Sequence, residues 1–355
     1  MARTLMKGNE AIAEAAIQAG CRYFFGYPIT PQNQIPEYMS ARMPQVGGVF
    51  VQAESEVSAI NMVYGAAGCG KRVMTSSSSP GISLKQEGIS YIAGARVPAV
   101  IVNIIRGGPG LGTIQPSQQD YMQATRGTGH GGNRTVVLAP ASVQEAAQLT
   151  MLAFDIADTY RIPVLILGDG MIGQMMEPVD FDAIRPKPRN LPEKLWAADI
   201  TTRGKRERAV INSLFIDPKK CEQANNDWFT MFEDVKKNEI RYDEYMTDDM
   251  DFLIVAFGTT SRICKNTIAL ARAEGIKAGM IRPITISPFP FEAINKAADK
   301  VKAVLCVEMN HGQMVEDVRL AVNGKKPVHF FGRSGGMIPS PQEILSAIKK
   351  AGGCK

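Results

Sequence analysis

In the first third of the chain, chemically unusual residues fall directly after apolar runs. Tyr27-Pro28-Ile29-Thr30-Pro31 follows RYFFG, and Glu54-Ser55-Glu56 follows FVQA. Ser76 to Ser79 with Pro80-Gly81 follows RVMT, and Arg106-Gly107-Gly108-Pro109-Gly110 follows PAVIVNII. If the runs are parallel strands, all of these stretches reach the carboxyl edge of one sheet, where open α/β sheets bind ligands. A hydroxyl, a carboxylate and a guanidinium then converge. A placed carboxylate does acid–base work, and a forked guanidinium suits an anionic group. Each residue also has a structural reading. Glu56 favours a helix N-terminus through the dipole. Thr30 can cap a helix with Pro31 at its first position. Arg106 can snorkel off a strand end. Singly, these readings stand level with function; their coincidence on one edge points to a site.

Other patterns carry less. GAAGCGKR, Gly65 to Arg72, nearly matches a phosphate-binding loop, but Arg72 stands where Ser or Thr would hold magnesium. A helix also leads into it and a strand follows, the reverse of the required order. GTGHGG, Gly127 to Gly132, likewise precedes a strand and reads as a flexible loop. His130, His311 and His329 are far apart, with no metal-ligand spacing around them. No Ser-His-Asp hydrolase is expected. Cys21, Cys69, Cys221, Cys264, Cys306 and Cys354 are scattered without a C-x-x-C pair. Neither a disulfide framework nor the roughly four close thiolates of an iron–sulfur cluster is expected.

The elements that must position the edge residues follow from the pattern. The 355 residues suit two domains, and an apolar content of 45% gives both a core. The expected strands are CRYFFGYP, GGVFVQA, RVMTSSS, PAVIVNIIR, RTVVLAP and PVLIL. Helices are expected over 8–19, ESEVSAINMVYGAAG and ISLKQEGISYIAGAR, and after Ser142. Ser142 and Glu145 there form a capping box, and Val143, Ala146, Ala147, Met151 and Phe154 share one face. Short, continuously apolar runs between helices argue for a parallel sheet buried on both faces. This domain is placed at 1–185. Residues 186–248, with KPKPRNLPEK and a polar helical stretch, read as an ordered linker. From 249 to 355 a second, smaller α/β domain has strands DFLIVAFGTT, AGMIRPI, AVLCVEMN and PVHFFGR.

The net charge of +5 is mild, so no nucleic-acid partner is expected. The cluster Arg203, Lys205, Arg206 and Arg208 reads as a solvated linker or a partner contact. The N-terminal MARTLMKGNEAIAEAA has no apolar signal region. No stretch is apolar over the ~18 residues of a membrane span. A soluble, cytoplasmic protein is expected.

The edge motifs together resemble, in order and spacing, the α subunit of 2-oxoacid:ferredoxin oxidoreductases. GTTS at 258–261, IRPITISPFP at 281–290 and VEMNHGQM at 307–314 resemble the second domain of the same subunit. The resemblance covers nearly the whole chain apart from the linker. It implies an α/β fold of two parallel-sheet domains: a thiamine-diphosphate pyrimidine-binding-type domain, then a transketolase C-terminal-like domain. It implies that Glu56 hydrogen-bonds the aminopyrimidine ring and favours its imino tautomer, which takes the proton from the thiazolium carbon. Glu54 is the rival for that role. Pro28 and Thr30 join Glu56 at the cofactor, and Thr30 with Arg106 holds the substrate carboxylate.

Gly168-Asp169-Gly170 resembles the start of the diphosphate and magnesium motif, but Asn190 sits early, among prolines. It is read as a strand-end turn, and no metal ligand is assigned to this chain. The resemblance therefore puts the diphosphate and Mg2+ motif on a β subunit. It puts the iron–sulfur clusters on β and on a small ferredoxin-like subunit. A γ subunit, ferredoxin and coenzyme A complete the system. RGGPGLGTIQPSQQDYMQA and GTGHGGNRTVVLAPASVQE resemble the branched-chain type, which acts on 3-methyl-2-oxobutanoate (2-oxoisovalerate). The alternatives are the 2-oxoglutarate or pyruvate type, a non-catalytic structural subunit, and a nucleotide-binding protein.

Overall fold

The structure, a computed structural model, describes residues 3–127 and 129–352; Thr128 of the GTGHGG stretch and Cys354 lie outside them. The first part of the chain runs β1 (Thr4–Lys7), α1 (Gly8–Gln18), β2 (Tyr23–Gly26), α2 (Gln34–Arg42), β3 (Val49–Gln52), α3 (Glu56–Gly68), β4 (Val73–Ser77) and α4 (Ser79–Gly94). It continues with β5 (Ala99–Gly107), β6 (Thr113–Pro116), α5 (Tyr121–Arg126), β7 (Val136–Leu138), α6 (Val143–Tyr160), β8 (Pro163–Asp169), α7 (Gly170–Gln174) and β9 (Met176–Val179). Then come α8 (Pro218–Asn238), β10 (Tyr242–Tyr245), β11 (Phe252–Val255), α9 (Gly258–Ala273), β12 (Ala278–Pro283) and β13 (Thr285–Ser287). The chain closes with α10 (Phe291–Ala298), β14 (Ala303–Glu308), α11 (Met314–Val322), β15 (Val328–Gly332) and α12 (Pro341–Ala351).

Each apolar run expected as a strand is one. In the first sheet, β3-β2-β4-β5-β8-β7 are parallel neighbours. β5 is central and buried along its length except at Arg106. Its side chains alternate between two cores: Val100, Val102 and Ile104 face one, Ile101 and Ile105 the other. That is the signature of a sheet covered by helices on both faces. The second sheet has the order β10-β12-β11-β14-β15, parallel except for β10.

The two sheets are not independent. β13, which follows the second sheet's β12 after Ile284, pairs antiparallel with β7 and extends the first sheet. β10 lies inside the stretch read as linker and extends the second sheet. The segment after β6 forms the joint. Gln118 N–H donates to Met309 O at 3.0 Å, and Met309 N–H donates back to Gln118 Oε1 at 3.0 Å. Asn310 Nδ2 donates to Gln118 O at 2.8 Å, and Tyr121 Oη to Asp317 Oδ2 at 2.6 Å. Glu308 fixes the far side. Its buried carboxylate accepts from the Met314 and Val315 amides at the start of α11 (2.8 and 3.0 Å), and burial raises its pKa.

One expectation at α6 is corrected. Ser142 Oγ accepts from Glu145 N–H at 3.1 Å, but Glu145 does not return a bond to Ser142. Its carboxylate accepts from Ala141 N–H at 2.6 Å and takes both prongs of Arg282, each at 2.7 Å. The second domain's guanidinium competes for the carboxylate and wins, because a bidentate ionic pair is stronger than one cap bond.

Candidate active site

Strand order fixes where the site lies. The chain leaves β2 for β3 on one side, and leaves β4 for β5 on the other. The crevice of such a sheet opens beyond the carboxyl ends of the strands flanking this reversal. Residues 27–31, Glu56, Ser76 to Ser79 and Arg106 all sit there.

The loop after β2 is pinned from several directions. Gln32 is buried; its Nε2 donates to Tyr27 O at 3.2 Å and its Oε1 accepts from Ser76 Oγ at 2.5 Å. Asn9 Nδ2 and Gln174 Nε2 both donate to Pro31 O, at 2.8 and 2.7 Å. Pro28 and Thr30 are left exposed. Thr30 caps no helix, since α2 starts at Gln34 after Asn33. Its carbonyl instead accepts from Arg106 Nη1 at 3.1 Å. Thr30 and Arg106 are therefore neighbours.

Arg106 does not snorkel freely from its strand. Its backbone N–H donates to Ser79 Oγ at 3.1 Å, and its Nε is buried with no partner among the described residues. The Ser77 and Ser78 hydroxyls are also buried and unpartnered. Asn103 braces this side: Oδ1 accepts from Ser79 N–H at 3.1 Å, and Nδ2 donates to Asp120 Oδ2 at 2.8 Å. Burial pushes the Asp120 carboxyl up, against the pull of those hydrogen bonds.

Glu56 opens α3. Ser55 is the N-cap, its hydroxyl accepting from Ser58 N–H at 3.2 Å. The dipole reading of Glu56 thus holds, and it does not exhaust the residue. Glu56 is 6% exposed, and its carboxylate forms no hydrogen bond or close ion pair among the described residues. It rests on the first turn of α4, where a Cβ built at Gly81 would fall 2.5 Å from Glu56 Oε1 and 2.1 Å from Ser77 Oγ. Glu54, the rival, is exposed and accepts from Ser58 Oγ at 2.6 Å. These residues suit an aminopyrimidine ring: a nearly buried carboxylate without a partner among the described residues, beside hydroxyls and a guanidinium.

The discounted motifs have structural employment. Lys71 pairs with Asp199, and Arg72 with Asp155 and Asp158. Asp169 caps α7, accepting from the Met171 and Ile172 amides at 2.9 and 3.2 Å, and burial raises its pKa. Among the described residues no group of His, Cys, Asp and Glu is arranged to hold a metal ion. None of their helices is long and apolar enough to cross a membrane.

The model of the thiamine-diphosphate-binding domain of pyruvate flavodoxin/ferredoxin oxidoreductases matches residues 14–235, and that of pyruvate:ferredoxin oxidoreductase core domain II matches 250–344. The chain belongs to the 2-oxoacid:ferredoxin oxidoreductase family. A ketoisovalerate oxidoreductase subunit of Methanothermobacter thermautotrophicus is 47% identical over 99% of both chains. A 2-oxoglutarate synthase subunit of Methanothermobacter marburgensis is 36% identical over 97% of both. A 2-oxoglutarate:ferredoxin oxidoreductase structure from Magnetococcus marinus superposes with a TM-score of 0.84 at 23% identity, covering 98% of this chain and 65% of that one. A split-gene transketolase gives 0.62 at 14% identity over 99% of each, so the two-domain architecture is shared with transketolases as a fold.

The sequence reading missed Gln32, Asn9, Gln174, Asn103 and Asp120, which hold the edge in place. Asn103 carried a signal, being a polar residue inside an otherwise apolar strand.

Proposed function

We propose that this oxidoreductase subunit acts on 2-oxoisovalerate, forming the acyl-CoA with electrons passed to ferredoxin in the cytoplasm. The observation that supports this is the unpartnered, nearly buried Glu56 carboxylate on the same edge as Arg106 and Thr30. The substrate choice leans on the higher identity to the ketoisovalerate oxidoreductase subunit than to the 2-oxoglutarate synthase subunit.

Residues 1–185 form the pyrimidine-binding unit, 186–248 the linker and 249–355 the second unit. Glu56 accepts the hydrogen bond of the aminopyrimidine ring at its carboxylate. Its near-complete burial raises the strength of that bond. Pro28 and Thr30 line the ring. Thr30 and Arg106 receive the 2-oxoacid carboxylate, for which the Arg106 fork keeps Nη2 without a partner among the described residues while Nη1 is held by Thr30 O. Thiamine diphosphate, when bound, supplies the electron sink for decarboxylation. A β subunit brings the diphosphate and Mg2+ site, and iron–sulfur clusters lie on β and on a small ferredoxin-like subunit, with γ completing the complex. Val57, Leu84, Leu111 and Ile114 surround the edge and are 45%, 54%, 82% and 57% exposed. Such an apolar rim suits a protein partner closing the site.

The test is anaerobic viologen reduction by the assembled complex with coenzyme A, across 2-oxoisovalerate, 2-oxoglutarate and pyruvate. Thiamine-dependent reduction, fastest with 2-oxoisovalerate, is expected. Glu56→Gln should lower it roughly 10²- to 10⁴-fold. A best rate with 2-oxoglutarate or pyruvate moves the substrate; full turnover by Glu56→Gln removes Glu56 from the mechanism.

A further inference from the structure

Lys85 has no exposed surface at all. It lies on the apolar stripe of α4, in helical register with the buried Ile82, Ile89 and Ile92. An amine in that position is costly to desolvate, and a methionine would pack there without the penalty. Its Nζ reaches β4, donating to Thr75 Oγ1 at 2.9 Å and to Ser76 O at 3.0 Å. Those acceptors take two of the three protons of an ammonium. One helical turn earlier on the same face, Gly81 lies against the Glu56 carboxylate. Burial pulls the Lys85 ammonium down to about 7, while the Glu56 charge pulls it back up. Among the described residues Glu56, held against Gly81 one turn away on α4, is the charge that acts on Lys85. From β4 it meets only the uncharged Thr75 and Ser76, and Arg106 and Asp120 belong to the β5 side of the edge.

We propose that Lys85 is a positioning residue for Glu56: a charge buried behind the carboxylate that favours its ionised form without touching substrate or cofactor. The inference rests on the role given to Glu56 above. It gives a role to a lysine that stands where the helix stripe calls for an aliphatic side chain. In a water-poor interior a like-sized charge acts over several ångströms without direct contact. The influence is largest below neutral pH and fades as Lys85 itself loses its proton.

The test uses the assembled complex with wild-type chain, Lys85→Gln, Lys85→Met and Glu56→Gln. Lys85→Gln keeps an amide donor for Thr75 and Ser76 but no charge; Lys85→Met keeps neither. The first readout needs no cofactor: the infrared band of protonated Glu56, isolated by subtracting the Glu56→Gln spectrum, followed against pH. The second is the pH profile of hydrogen–deuterium exchange at the thiazolium C2 of bound thiamine diphosphate. In both Lys85 variants the band should persist to a pH at least about one unit higher, a tenfold change in the ionisation equilibrium. The acid limb of the exchange profile should move with it. Variants that titrate like the wild type overturn the inference, as does a Lys85→Gln that restores wild-type behaviour while Lys85→Met does not. A band that shifts while Glu56→Gln exchanges normally upholds the Lys85–Glu56 coupling and instead refutes the catalytic role of Glu56.

Discussion

Gly81→Ala is the sharpest perturbation of the Glu56 carboxylate, because it changes no charge and no hydrogen-bonding group. The new Cβ would lie 2.5 Å from Glu56 Oε1, 3.0 Å from Glu56 Cγ and 2.1 Å from Ser77 Oγ. Carbon needs roughly 3.5 Å from such neighbours, so Ser77 Oγ must clear by roughly 1.4 Å and Glu56 Oε1 by roughly 1 Å. Ser77 ends β4, and its backbone is fixed by the sheet, so its hydroxyl can only rotate. Glu56 begins a helix and its carboxylate has no partner among the described residues, so while the Ser77 hydroxyl rotates the carboxylate is displaced as well. A misplacement of ~1 Å at a reacting group costs on the order of 10²-fold. Stability should respond far less. Alanine gains up to about 1 kcal/mol of helix propensity over glycine, while overpacking costs about 1–3 kcal/mol. The net loss is then roughly 0–2 kcal/mol. Viologen reduction, C2 exchange and urea unfolding, measured on the same preparation, separate these effects. A Gly81→Ala complex with wild-type exchange would sink the reasoning, for the carboxylate would then have no fixed post.

Three further outcomes follow from the same geometry. Arg106→Lys loses the fork; one charge-assisted bond of about 1.5–3 kcal/mol corresponds to a rise of roughly 10- to 100-fold in KM for the 2-oxoacid. A fall in kcat at unchanged KM would place Arg106 elsewhere in the cycle. Arg282→Met strips Glu145 and Asp243 of their shared partner across the two sheets; with Arg282 only 6% exposed, unfolding free energy should drop by about 3 kcal/mol. A loss under ~1 kcal/mol would show that β13 and the Gln118 joint carry the contact alone. Lys85 titrates near 7 in the fold and near 10.5 when solvated. Between those values the unfolded chain binds more protons, so stability rises with pH across that window, by up to about 5 kcal/mol. Lys85→Met should flatten this rise, and parallel stability–pH curves for the two proteins would contradict it.

How much of this was legible in the sequence depends on how local each signal is. The ten strands read correctly are short apolar runs bounded by turn residues, complete signals in themselves. β1, β6, β9, β10 and β13 escaped notice. Each has only three or four residues, and all pair antiparallel with partners that are not read from a local period. β1 shows the burial pattern exposed, exposed, buried, half-buried, which resembles any loop. β13 is the instructive case. IRPITISPFP is apolar enough for a strand, but Ile284 marks a change of sheet, and nothing in the ten residues says that the second half pairs with Val137 and Leu138. The Ser142–Glu145 box failed for the same reason: its motif is local, and the competing Arg282 is 137 residues away. Lys85 differs. A lysine in the middle of an Ile82, Ile89, Ile92 stripe breaks a visible period, and that break was available from the sequence alone.

The contrast between the two polar regions of this chain argues for what it lacks. At the joint between sheets, Gln118 uses its backbone and both side-chain atoms, and Asn310, Tyr121 and Asp317 are paired in turn. At the carboxyl edge, Arg106 Nε and the Ser77 and Ser78 hydroxyls are buried without partners among the described residues, and Glu56 has none there either. Each buried group left so costs about 1–3 kcal/mol. A fold able to pair Gln118 so completely had the means to pair these as well. Their grouping on one edge, inside a rim of exposed Val57, Leu84, Leu111 and Ile114, is the pattern of a site shared with another molecule. Substitutions there should therefore weaken assembly and chemistry together. Val57→Ser and Leu111→Ser should loosen the complex while leaving the isolated chain's unfolding free energy within about 0.5 kcal/mol. Analytical ultracentrifugation beside urea unfolding reads both. If the variants unfold the chain and leave the complex intact, the rim belongs to the fold and the edge is not an interface.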